Sequence, residues 1–126
     1  MTSTVLNIAF DCADTFTLAS WWSQVVGHPI HPDDQPGDPE AIIEIAGQPT
    51  LFFNAVPESK TVKNRLHLCL RPDIPRDEEV ERLLGIGATM VNDRRKPNGR
   101  GWAVLADPEG NEFCVLRGDA DKPLTN

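Results

Sequence analysis

The chain repeats itself at an offset of 60 residues, and a repeat that short is one supersecondary unit used twice. Residues 5–11 (VLNIAFD) and 65–71 (RLHLCLR) both alternate at period two, the pattern of a half-buried strand. Leu6, Ile8 and Phe10 form one apolar face and Leu66, Leu68 and Leu70 its counterpart, so both sets are expected beneath helices. Asn7 and Ala9, matched by His67 and Cys69, face the other way. A helix is predicted after Asp14 or Thr15, with Leu18, Ala19, Trp22, Val25 and Val26 as its apolar stripe. A second is predicted from about Pro75, with acidic residues in its first turn and Val80, Leu83 and Leu84 inside. Both stop near a glycine, Gly27 and Gly87. The stripes superpose only with a one-residue slip. Trp21 and Trp22 are adjacent, so one is expected in the core and the other at a rim or subunit contact.

Each half then closes with a hairpin. In the first, AIIEIA (41–46) turns at Gly47-Gln48-Pro49 into LFFNAV (51–56). In the second, WAVLA (102–106) turns at Asp107-Pro108-Glu109-Gly110 into NEFCVL (111–116), with Pro and Gly where a type I turn favours them. Phe53 pairs with Phe113, and Asn54 with Cys114, at the same offset. Short strands at His28–His31 and Thr89–Asn92 complete a β-α-β-β-β order in each half. Loop 32–40 (PDDQPGDPE) is acidic and proline-rich, and loop 93–101 (DRRKPNGRG) is basic and glycine-rich.

With 126 residues, 40% of them hydrophobic, the chain has the size and composition of one folded domain. The net charge is −7, which argues against nucleic acid or an anionic membrane as partner. Its distribution is uneven. No Lys or Arg precedes Lys60, so residues 1–59 carry −8 and the remainder +1. Cys12, Cys69 and Cys114 are an odd number without a C-x-x-C pair, which points to reduced thiols and a cytoplasmic protein. No apolar run reaches the ~18 residues of a membrane span, and no leader pattern is expected.

Asp14 followed thirteen positions later by Gly27, the join KTVKNRLHL (60–68) and DPEGNEFCVL (107–116) carry a family resemblance. With two β-α-β-β-β halves and no linker, the chain resembles the vicinal-oxygen-chelate superfamily, in its glyoxalase and bleomycin-resistance branch. The resemblance spans about residues 4–117, as modules 4–57 and 64–117 of one domain, with 118–126 as a polar, frayed tail. It implies an α+β fold in which each half makes a curved sheet with its helix on the convex side. The concave side would form a small-molecule cleft, and a homodimer is expected. Metal-dependent members place a ligand on the first and last strand of each half. Those positions map to Asn7, Phe53 or Asn54, His67 and Cys114.

Two amides, one imidazole and one thiol are a poor set for the ions this superfamily uses, so no metal or other cofactor is expected. Glu112, two residues from Cys114, is an alternative ligand. His67 could serve as a general base or a ligand, while Cys69 and Cys114 are expected to pack as small hydrophobes. Trp102 could stack on a planar ligand, and Arg65, sharing strand parity with His67, could grip an anion. The reading is a small-molecule-binding protein of bleomycin-resistance type. Its alternatives are a metal-dependent lyase or isomerase using His67 with Glu112 or Cys114, and a non-catalytic dimerisation module.

Overall fold

The boundary in charge is also a boundary in structure. In a computed structural model that describes residues 1–124, the chain divides into two units, Met1–Ser59 and Lys60–Asn126. The acidic half is therefore one compact unit and the weakly basic half the other. No helix among the described residues is long and apolar enough to cross a membrane.

In the first unit, β1 (Asn7–Cys12), α1 (Thr15–Val26), β2 (Glu40–Ile43) and β3 (Thr50–Ala55) make a three-stranded sheet in the order β1-β3-β2. β1 runs parallel to β3, and β2 antiparallel. Strand alternation sends Ala41, Ile43, Leu51 and Phe53 to the helix side, where all four are buried. Phe10 joins them, its ring 4.8 Å from Phe53 and 5.2 Å from Trp22. Asp14 caps α1 by accepting from the Thr17 N–H at 3.0 Å, and Gly27 ends it in the left-handed conformation (φ 71°). Both tryptophans of α1 are buried, contrary to the expectation for adjacent residues. Trp21 meets the Trp22 ring edge-on at 5.2 Å and 85°, so the pair buries itself in part.

The second unit comprises β4 (Leu68–Leu70), α2 (Arg76–Gly85), β5 (Thr89–Asp93), β6 (Ala103–Ala106) and β7 (Glu112–Val115), with sheet order β4-β7-β6-β5. Val80 and Leu83 of α2 and Ala103, Leu105, Phe113 and Val115 of the sheet are fully buried. The α2 N-terminus has no side-chain cap of its own. Instead the Asp121 carboxylate accepts from the Arg76 N–H at 2.9 Å. The residues after Arg117 are therefore not frayed at their start: Gly118 also donates to Asp121, and Asp119 donates to the Pro72 carbonyl at 2.8 Å. The last two residues of the polar tail lie outside the described residues.

Two expected strands come out differently. Residues 28–31 make one backbone bond to β2, from the His31 N–H to the Ile42 carbonyl at 2.9 Å, and no strand. Pro29 and Pro32 have no N–H to give a ladder. Residues 89–93 lack proline and do form a strand, bulged between Met90 and Asn92. The apolar face of the first strand of each half is also shorter than expected. Leu6 is 79% and Leu66 91% exposed, because β1 begins at Asn7 and β4 at Leu68. Ile8, Phe10, Leu68 and Leu70 are only half-buried.

Candidate functional site

Most of the candidate residues share the face of their sheet that points away from its helix. In the second unit, parallel pairing places Cys69 of β4 opposite Cys114 of β7, and β6 sets Val104 beside Cys114. His67 lies one residue before β4, with the parity of Cys69. The imidazole and the two sulfurs lie within 4.8 Å of one another, with His67 and Cys69 exposed and Cys114 buried. Burial, and next the neighbouring Cys69 thiol, push the Cys114 thiol up to about 11, with Lys63 pulling weakly the other way. At neutral pH Cys114 is a thiol, not a nucleophile. Cys69 is not the packed hydrophobe expected of it.

Glu112, the alternative ligand, is already engaged. Lys60 Nζ lies 2.8 Å from its Oε1, and the Asn64 N–H donates to the same oxygen at 3.1 Å. Burial alone would raise this carboxyl. The Lys60 ammonium and the Asn64 N–H outweigh it and hold Glu112 below the usual carboxylate range. Asn64 Nδ2 also donates to Asn111 Oδ1 at 2.9 Å, and Asp107 Oδ1 accepts from the N–H groups of Glu109 and Asn111. Lys60, Asn64, Asp107, Asn111 and Glu112 thus form one lock between the KTVKN segment and the closing turn. Their polar chemistry is spent on holding the hairpin.

Farther along the same face, Trp102 is 39% exposed, and the Arg94 guanidinium sits 5.6 Å from its ring centroid. The Arg94 N–H donates to the Trp102 carbonyl at 2.9 Å, which aligns the two side chains. The basic loop that follows is shaped from α2. The buried Arg76 donates to the carbonyls of Gly99, Arg100 and Gly101 at 2.9–3.2 Å. Gly101 is obligatory there, since a Cβ would come within 2.1 Å of the Arg94 carbonyl oxygen and φ is +87°. Arg65 is exposed, but residues 65 and 66 form a bend. The strand parity expected to tie it to His67 ends short of it.

In the first unit, Asn7 and Asn54 share the open face, Asn54 half-buried and Asn7 exposed. Phe53 does not join them: it is 0% exposed, stacked on Phe10 under α1, and its neighbour Phe52 takes the open side. The ladders also correct the repeat. Ala9 faces Phe52 whereas Cys69 faces Cys114, so a first-strand offset of 60 is met by a last-strand offset of 62. Phe52, rather than Asn54, is the register equivalent of Cys114. Of the positions that the resemblance implies for a metal, His67 and Cys114 offer a nitrogen and a sulfur donor, and the others offer poor ones. Asn7 and Asn54 offer neutral amides, Phe53 offers no donor, and Glu112 is held by Lys60.

A family model described as "Glyoxalase-like domain" matches residues 7–116. Among solved structures, a glyoxalase/bleomycin resistance protein/dioxygenase family enzyme from Burkholderia phytofirmans superposes with a TM-score of 0.69 at 19% identity, covering 90% of this chain and 97% of that one. The fosfomycin resistance protein FosX from Listeria monocytogenes, in complex with Mn(II), gives 0.68 at 19% identity over 94% and 92%. Lactoylglutathione lyase from Agrobacterium tumefaciens gives 0.63 at 20% identity over 94% and 95%. No curated protein matches the chain.

Proposed function

Since the chain belongs to the glyoxalase-like domain family, of the vicinal-oxygen-chelate superfamily, we propose that it binds a small anionic or planar organic molecule, in the manner of a bleomycin-resistance protein. One observation carries this reading. The open face of the second sheet presents a part-exposed indole with a guanidinium laid over it, an arrangement suited to a flat, electron-rich ligand. Arg65 and Lys63 are exposed cations just ahead of β4, and no acidic residue lies between Lys60 and Arg71. An anion approaching that edge meets positive charge despite the overall −7.

Binding of this kind needs no metal chemistry and no proton transfer. It needs a surface that stacks the ligand and a donor that fixes its charge. A metal-dependent lyase reading draws support from the names of FosX and lactoylglutathione lyase. In this chain it would rest on His67 with Cys114, because the Lys60 ion pair takes Glu112 away from such a role. A cytoplasmic homodimer belongs to the same proposal, and the exposed Val62 and Leu66 support a partner surface.

The test is a thermal-shift screen of aromatic carboxylates and organic phosphonates, followed by calorimetry on the best hit. Arg65→Ala and Trp102→Ala should each weaken that ligand about ten- to a hundredfold, with unchanged melting temperature of the free protein. Equal affinity in wild type and both variants would remove the open face of the second sheet as the site.

A further inference from the structure

We propose that His67, Cys69 and Cys114 together bind one thiophilic cation with a filled d shell, Zn²⁺ or Cu⁺, at a site contained wholly in the second unit. The argument starts from the donors. Two cysteine sulfurs and an imidazole form a soft set that matches those two ions and suits Mg²⁺, Ca²⁺ or Mn²⁺ poorly. A zinc site with two Cys and one His keeps a fourth position open.

The geometry is close to what such an ion requires. Donors bonded to one zinc at about 2.0–2.3 Å stand roughly 3.3–3.8 Å apart. In the protein all three donor atoms already lie within 4.8 Å of one another. Contracting them asks for little, because His67 and Cys69 are exposed and their side chains can turn about χ1. Cys114 does not need to move. It lies on β7, an inner strand paired on both sides, and so acts as the fixed point of the site. β4 is an outer strand, so an ion can enter from solvent past Cys69 and His67. As each sulfur–metal bond forms, the thiol proton passes to buffer, and binding through both cysteines releases two protons.

The first unit serves as an internal control. Its register equivalents of Cys69 and Cys114 are Ala9 and Phe52, and Asn7 stands at the offset of 60 from His67, so together they offer one amide and nothing else. The third cysteine, Cys12, is buried in β1 of that unit. This inference goes beyond the ligand-binding reading and stands without it, since the ion needs neither Trp102 nor Arg65.

The experiment titrates the full-length, fully reduced protein under anaerobic conditions. Zn²⁺ and Cu⁺ are each added in competition with a chromophoric chelator, and Co²⁺ is used as a spectroscopic probe. We expect one equivalent of at least one of the two ions, a thiolate-to-cobalt charge-transfer band, and a higher melting temperature with the ion bound. Cys69→Ser should weaken the ion at least a hundredfold and abolish most of the cobalt band, since even outer-shell changes cost ten- to a hundredfold. His67→Ala should cost about tenfold or more, and Cys12→Ser nothing. Cys114→Ser should behave as Cys69→Ser; because Cys114 is buried, the exposed Cys69 variant decides between the outcomes if Cys114→Ser misfolds. Binding of neither ion, equal binding by wild type and Cys69→Ser, or loss of binding on Cys12→Ser would each overturn the site. An organic ligand that still binds after such a failure would leave the ligand-binding reading intact.

Discussion

The two sheets are alike on one face and unlike on the other. Toward the helices, Phe53 and Phe113 are both fully buried, with Ile43, Leu51, Leu105 and Val115 completing the two cores. On the open side, the ladder positions that hold Cys69 and Cys114 in the second unit hold Ala9 and Phe52 in the first, and His67, just ahead of β4, corresponds to Asn7 at the offset of 60. The helix-facing pattern is constrained by burial, where a one-residue error would expose a whole apolar row. The open face has no such constraint, so the two copies are free to differ there. Their loops diverge as well. The acidic loop of the first unit is fastened by its own carboxylates, Asp34 accepting from the Ile42 N–H at 2.8 Å and Asp38 from the Gln35 N–H at 2.9 Å. The basic loop is fastened from outside by Arg76 and Arg117.

The largest effect should come from the faces that agree. Phe53→Ala and Phe113→Ala should each cost about 3–5 kcal/mol in urea denaturation, while Phe52→Ala, one residue away on the open face, should cost less than about half of that. A small cost at Phe53 accompanied by lost ligand affinity would return Phe53 to the site and break the alignment of the two cores.

The Lys60–Glu112 lock exists only in the second unit. Lys60→Met should destabilise the protein by about 1–3 kcal/mol at neutral pH, read by the same method. Glu112 is held below its unfolded value of about 4.3, so its contribution is fully present above that pH and is lost as pH falls toward the lowered folded value. The gap between wild type and Lys60→Met should therefore close on acidification through that window. A gap that stays constant down to about pH 2 would mean that Lys60 acts by packing its chain rather than by charge.

The smallest expected difference concerns the helix starts. Asp14→Ala removes a local cap and should cost about 1 kcal/mol. Asp121→Ala removes a cap supplied from 45 residues away and should cost a similar amount while also loosening the Gly118 turn. Amide exchange at Thr17 and Arg76 would separate the two, and an unprotected Arg76 N–H in wild type would show that α2 has no remote cap.

Much of the fold was legible because burial imposes a period. Alternation in residues 5–11 and 65–71, the stripes of the helices, Asp14, Gly27 and the Asp-Pro-Glu-Gly turn are local signals; they mark β1, β4, the two helices, the ends of α1 and the closing turn, with both strands shorter than the alternation. What misled was also local. Leu6 and Leu66 continue the alternation but lie before the first residues of β1 and β4, since where a strand begins is decided by its neighbour. His28–His31 has the hydropathy of a strand, yet Pro29 and Pro32 deny it a ladder. Helix geometry alone sends one of the two tryptophans to a rim, because it knows nothing of the Trp22 ring that covers Trp21.

By itself, then, the amino-acid sequence determined that this chain folds as two related α+β units, which side of each sheet is core, and that the charge changes at Lys60. It did so because periodicity and turn chemistry are properties of neighbours along the chain. Only the tertiary structure decided that Phe53 lies under a helix, that Glu112 belongs to Lys60 and that Cys69 faces Cys114. Those facts depend on strand register, where a two-residue slip keeps every apolar residue inward and so leaves no trace in the pattern, yet changes which side chains meet.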